Sequence, residues 1–145
     1  MNNSRTPLAL LFMLFLTFVG SAQDLKKHQW QNRIILLKDI HFDSVKLQNQ
    51  LNLLLSTNEK LKDRDLLVFI VTDKSVYDES KKKTDLNSSA IIKKYNMADF
   101  NGLLLIGKDG GVKFRKGFIV NPKTIYDLID GMPMRKTEMK SKGKH

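Results

Sequence analysis

Leu103–Arg115 reads LLLIGKDGGVKFR. Leu103 to Ile106 is a continuous apolar run, as expected of a strand covered on both faces. Gly107-Lys108-Asp109-Gly110-Gly111 then supplies the positive-φ residues that a tight hairpin needs, which makes Gly107, Asp109, Gly110 and Gly111 the turn, with Gly110 or Gly111 in the positive-φ position. Val112 and Phe114 alternate with Lys113 and Arg115, the pattern of an antiparallel strand with one wet face. Downstream, Asn121-Pro122 is a cap followed by proline at the first helical position. Ile125, Leu128 and Ile129 form that helix's apolar face, and Gly131 is expected to end it in the left-handed conformation.

Upstream, Leu66–Val71 (LLVFIV) and Ile34–Leu37 (IILL) are two further buried strands. Between them Asp43 or Ser44 can cap a helix. Leu47, Leu51, Leu54, Leu55 and Leu61 recur at helical spacing, with Lys46, Gln50, Asn52 and Lys60 elsewhere on the wheel, so the helix is expected to run to about Lys62. A long helical connection makes the two strands parallel. Thr72 to Asn87 is polar and aperiodic, which predicts a mobile loop, and it carries Lys81-Lys82-Lys83. Ser88 to Tyr95 is a short helix with Ile91, Ile92 and Tyr95 facing inward. The order is a βαβ half, a linking helix and a ββα half. Those are the parts of a thioredoxin-like α/β fold: a mixed four-stranded sheet with helices on both faces.

The chain has 145 residues, suited to one domain, and no cysteine. Disulfides, thiolate nucleophiles and cysteine–zinc sites are therefore excluded. Leu8 to Val19 is an apolar run behind Arg5, and Gly20-Ser21-Ala22 offers the small residues that a signal peptidase admits. Residues 1–22 read as a signal peptide cleaved after Ala22; the alternative is an uncleaved N-terminal anchor, although the run falls short of the roughly 20 residues a bilayer needs. The expected product is exported, periplasmic or secreted, with a domain at 23–134, a basic C-terminal tail at 135–145 and no transmembrane span. The net charge is +10, of which the first 22 residues contribute only Arg5. Such an excess favours anionic partners: an acidic glycan, an anionic lipid surface or an envelope protein. Ordinary solubility is the alternative use of the charge. No motif for specific nucleic-acid recognition is present.

Three stretches carry a family resemblance: His28-Gln29-Trp30-Gln31-Asn32-Arg33, Leu104–Lys113 (LLIGKDGGVK) and Leu128–Arg135 (LIDGMPMR). Together they resemble an uncharacterised domain family of small exported bacterial proteins, with similar domains in animal extracellular-matrix proteins of the sushi-repeat and DRO/URB type. The resemblance covers nearly the whole chain after Ala22. It implies a thioredoxin-like fold near the peroxiredoxins, without an established activity, and in the animal relatives a link to adhesion and matrix assembly.

Redox-active thioredoxin folds hold their reactive cysteine after the first strand, where a helix N-terminus stabilises the thiolate. Here that place reads Lys38-Asp39-Ile40-His41-Phe42-Asp43-Ser44, without sulfur. His41 can act as a base there beside Asp39 or Asp43; the alternative is an exposed loop histidine, since no nucleophile is paired with it. His28 is expected to pack or to bond to the backbone. Trp30 with Arg33 is the best recognition feature, because an indole face and a guanidinium can hold a sugar ring and its acidic group. The alternative is a Trp packed on the sheet edge with Arg33 stacked on it or ion-paired. Met132, Met134 and Met139 with Arg135 are either a docking tail or a segment packed on the domain. Gly102–Lys108 fits the first part of a phosphate-binding loop, but its middle is a buried strand and Asp109 would repel phosphate. Asn87-Ser88-Ser89 matches a glycosylation pattern.

No cofactor motif is present. Two functions follow. The first is a redox-inactive binding or structural module of the cell envelope, using its cationic surface, with His28, Trp30, Arg33, His41, Lys81, Lys82, Lys83 and Arg135 as candidate binding residues. The second is a cysteine-independent enzyme with a site near His41 and Trp30.

Overall fold

The structure is a computed structural model that describes residues 24–143. The expected signal peptide with its cut after Ala22, and Lys144 and His145, lie outside the described residues. A 3-10 turn at Leu25–His28 precedes β1 (Arg33–Lys38). There follow α1 (Val45–Leu55), α2 (Asn58–Asp63), β2 (Leu66–Val71), β3 (Val76–Asp78), α3 (Ser88–Lys94), β4 (Gly102–Ile106), β5 (Val112–Lys116), α4 (Pro122–Asp130) and α5 (Pro133–Lys142).

The strands form one mixed sheet in the order β3-β2-β1-β4-β5. β1 pairs parallel with β2, from Arg33↔Leu66 to Lys38↔Val71, and antiparallel with β4. Every residue of β1 is buried, which is why its sequence reads as a run rather than an alternation. Ile35, Leu37, Val68, Ile70, Leu103 and Leu105 turn to the face covered by α1, α2 and α4. Ile34, Leu36, Phe69, Val71, Leu104 and Ile106 turn to the face covered by α3 and the 3-10 turn. This is the predicted βαβ and ββα order with helices on both faces.

Four expectations are corrected. The sheet has five strands, not four. The additional strand, β3, lies inside the stretch expected to be a loop. Asp78 Oδ1 accepts from the amides of Ser80 and Lys82, and Thr84 donates its amide to Val76 O, so the excursion through Lys81–Lys83 folds back along β3. The single helix from Ser44 to Lys62 is two, broken at Ser56-Thr57, whose hydroxyls bond to the carbonyls of Leu53 and Leu54. That local alternative competes with helix continuation. Gly131 closes α4 with φ −78°, right-handed rather than left-handed.

The fourth correction concerns the C-terminus. The basic tail is helix α5, with Arg135 buried. It packs onto the domain rather than hanging free. The hairpin assignment holds: of Gly110 and Gly111, Gly110 takes the positive φ, at +84°.

Candidate functional site

Apart from Lys81, Lys82 and Lys83 beside β3, the residues singled out from the sequence fall toward the two ends of β1. His41 follows its C-terminal end. Lys38 ends the strand there with its side chain 0% exposed and its Nζ 2.8 Å from Asp73 Oδ1. The approach is off the axis of a hydrogen bond, so the ammonium has an ionic neighbour and no aligned acceptor. A groove of about 440 Å³ opens beside it, lined by His41, Phe42, Asp43, Asp73, Lys74 and Tyr77. Phe42 and Tyr77 floor it with ring centroids 4.4 Å apart.

His41 is exposed, and its backbone N–H donates to Asp39 Oδ1 at 3.1 Å. Two of the nearby hydroxyls are committed elsewhere: Thr72 Oγ1 donates to Ser75 O, and Ser88 Oγ donates to Thr72 O. Both bonds hold the β2–β3 turn. Ser75 and Tyr77 line the groove with His41, but among the described residues no hydrogen bond joins the His41 imidazole to a hydroxyl.

The N-terminal end of β1 is a clasp of charges that docks α5. Arg33 is 1% exposed. Its guanidinium donates to both carboxylate oxygens of Glu138 (3.1 and 3.2 Å) and to Arg64 O (3.0 Å), while Nε has no partner. Lys108 Nζ lies 2.8 Å from both Glu138 and Asp65. Arg135 reaches Asp63 and Asp130, Arg64 reaches Asp130 at 2.6 Å, and Lys142 reaches Asp63 at 3.2 Å. Arg135, Glu138 and Lys142 are spaced three and four apart, so one polar stripe of α5 faces these partners.

Burial alone would raise the carboxyl of Glu138. The hydrogen bonds and charges of Arg33 and Lys108 outweigh it and hold the group below its ordinary value. Asp63 and Asp130 behave alike: burial opposes the shift, and bonds from Lys142 and Arg135, or from Arg64 and Arg135, hold them down. Burial likewise opposes the upward shift of Arg135, which Asp130 and Asp63 enforce.

The hairpin closes over the same corner. Trp30 N–H donates to Lys108 O at 2.6 Å, and Gln29 Nε2 donates to Asp109 O at 2.9 Å. Lys113 Nζ sits 2.7 Å from Asp109, whose carboxyl is lowered first by that bond and then by the amide of Gly111. A groove of about 310 Å³ runs between the hairpin and the α4–α5 elbow, lined by Arg33, Lys108, Asp109, Lys113, Met132 and Met134 among others. All three stretches that carry the sequence resemblance thus meet at one corner.

Several candidates change meaning. Arg33 and Arg135 are internal to the clasp rather than offered to a ligand. Trp30 is 64% exposed with φ +68°, not packed on the sheet edge. It has no guanidinium beside it to complete an acidic-sugar clamp, because Arg33 is committed to Glu138. His28 packs against Phe69 (centroids 5.9 Å), and burial, then Lys27, lowers its pKa against an opposing bond to Asn32. His41 and Trp30 are separated by all of β1, roughly 17 Å of strand, and share no site. Lys81, Lys82 and Lys83 are exposed and make no ion pair among the described residues. Asn87 caps α3 by accepting from Ala90 N–H.

Sequence reasoning missed Lys38–Asp73 and the acceptors Asp63, Asp65, Asp130 and Glu138. A lysine ending an apolar strand in register with its buried face was the available signal for the first. The Arg135, Glu138, Lys142 stripe was the signal for the second.

No helix among the described residues is long and apolar enough to cross a membrane. No curated protein matches the chain. Among solved structures, the chain is similar to reduced 2-Cys peroxiredoxin from Plasmodium vivax, with TM-score 0.56 and 16% identity over 78% of this chain and 84% of that one. At that identity the likeness shows the fold, which is that of thioredoxin-fold peroxiredoxins. The family model described as a domain of unknown function, DUF4174, matches residues 24–138. The chain belongs to the DUF4174 family.

Proposed function

We propose that the protein is an exported, redox-inactive binding module of the cell envelope that engages an acidic polymer or protein through solvated cations. The observation that carries this reading is a run of three exposed lysines with no ion pair among the described residues, on a chain of net charge +10. Asp63, Asp65, Asp130 and Glu138 are drawn into the clasp or its rim, while Lys81, Lys82 and Lys83 stand exposed without a carboxylate partner. The clasp takes in five cations (Arg33, Arg64, Lys108, Arg135 and Lys142) along with these four carboxylates, so the positive surface potential comes from the net charge of +10 and not from the pairing. The segment after β1 has no cysteine, and Lys38, which ends the strand, is buried against Asp73.

The clasp changes which part of the C-terminus supplies charge. Arg135 and Lys142 are paired inward, so within α5 the free cations are Lys136 and Lys140. Export rests on the N-terminal sequence pattern, with cleavage after Ala22.

Retention on immobilised heparin at low salt, against uncharged matrix, tests the reading. Wild type is expected to bind. Loss of binding is expected on Lys81/Lys82/Lys83→Glu, with a smaller loss on Lys136/Lys140→Glu. Passage of wild type through both columns alike would end the reading.

A further inference from the structure

The sheet has two edges, and only one is sealed. At β3 the chain folds back on itself: Tyr77 bridges Lys83, and Asp78 N–H donates to Lys82 O at 2.9 Å. At β5 no strand among the described residues pairs on the outer side, and every residue except half-buried Phe114 is exposed. Alternate residues of such an edge turn their N–H and C=O groups outward, ready for another extended chain.

The charge on this edge selects its partner. Lys113, Arg115 and Lys116 are three of its five residues, and it has no carboxylate. Lys113 is paired with Asp109 at 2.7 Å, whereas Lys116 has no ion pair among the described residues. Arg115 donates to the carbonyls of Tyr95 and Asn96 and lies 4.7 Å over the Phe100 ring, contacts that fix the guanidinium without neutralising it. A second copy laid antiparallel on β5 would set these cations against each other, which is destabilising. An acidic segment meets the opposite sign.

At the Val112–Lys113 end the edge runs into the 310 Å³ groove between Lys113 and Met132–Met134. Thioether side chains adapt to an apolar group of irregular shape. Edge pairing supplies affinity and such a groove supplies selectivity.

We propose that β5 is a docking edge for an acidic, extended polypeptide segment, which adds as a sixth strand. The proposal rests on the acidic-partner reading above and narrows that partner to a polypeptide.

The test uses a fluorescent eight-residue peptide of alternating Glu and Val, and the same peptide N-methylated at every residue. Methylation keeps the charge and removes the strand's donors. Binding by the purified protein is read by anisotropy at low salt, and amide exchange of Val112–Lys116 is followed alongside. The parent peptide is expected to bind at least tenfold tighter than its methylated form and to slow exchange at β5. Lys113→Glu/Lys116→Glu, checked for folding by circular dichroism, is expected to lose at least tenfold. Equal affinity for both peptides, protection confined elsewhere, or a β5-dependent dimer on light scattering overturns the docking edge. Heparin retention without peptide binding overturns it while leaving the cationic module standing. Failure on both removes the two together.

Discussion

Glu138→Gln removes one charge and almost no volume from the clasp. Glu138 receives two hydrogen bonds from Arg33, which is fully withdrawn from water, and a contact from Lys108 at 2.8 Å. Breaking one partner of a buried ion pair costs about 3–5 kcal/mol, because the other charge is stranded. Glu138 keeps a fifth of its side chain in solvent, and glutamine still accepts one bond. Those two points place the cost at about 3 kcal/mol, or roughly 10–15 °C in melting temperature for a domain of this size. Urea unfolding at pH 7, followed by far-ultraviolet circular dichroism, measures it. Lys136→Gln, exposed on the same helix, is expected to stay within about 0.5 kcal/mol.

The pH dependence separates charge from shape. Glu138, Asp63 and Asp130 are depressed in the folded state from ordinary values of 4.5, 3.8 and 3.8. Their stabilisation is present above those values and is lost as pH falls through the lower folded ones. The stabilities of wild type and Glu138→Gln should therefore approach one another as pH falls below 4.5. A variant within 0.5 kcal/mol of wild type at pH 7 would refute the clasp.

Asp73→Asn leaves the Lys38 ammonium buried without its counter-charge. It is expected to destabilise by about 2–3 kcal/mol by denaturant titration, whereas Lys38→Met is expected to be neutral or stabilising. Gly110→Val is expected to cost about 1–3 kcal/mol through its positive φ, and Gly111→Val less, by thermal melting. His28, whose pKa is lowered from 6.5, contributes stability above that pH that declines below it, and His28→Phe should flatten the stability curve between pH 7 and 5. Intact mass of the exported fraction is expected to give a chain starting at Gln23; retention of Met1–Ala22 in a membrane fraction would refute export by cleavage.

The interior strands were legible because each is buried on both faces and so reads as a continuous apolar run: Ile34–Leu37, Leu66–Val71, Leu103–Ile106. β3 escaped because a three-residue edge strand, Val76–Asp78, is too short to show a period and is stabilised by a turn whose partner atoms lie at Asp78 and Thr84. The leucines of α1 and α2 keep one helical spacing across Ser56-Thr57, so apolar periodicity hid the break. The clasp was illegible for a different reason. Arg135 and Glu138 look like a solvated basic tail until Asp63 and Arg33 are brought beside them from 72 and 105 residues away. Sequence spacing shows which residues share a helix face. It does not show which distant charges that face meets.

Electrostatic capture of an acidic partner by the exposed lysines is tested most directly by the salt dependence of polyanion affinity. Counterion release makes log K fall linearly with log salt concentration, with a slope of roughly 0.7–0.9 per phosphate-like contact. Affinity for a defined heparin oligosaccharide, titrated across salt concentrations for wild type and Lys81/Lys82/Lys83→Glu, is expected to show a steep negative slope that shrinks by about 2 in the variant. A slope near zero, or one unchanged by reversing the three lysines, would contradict it.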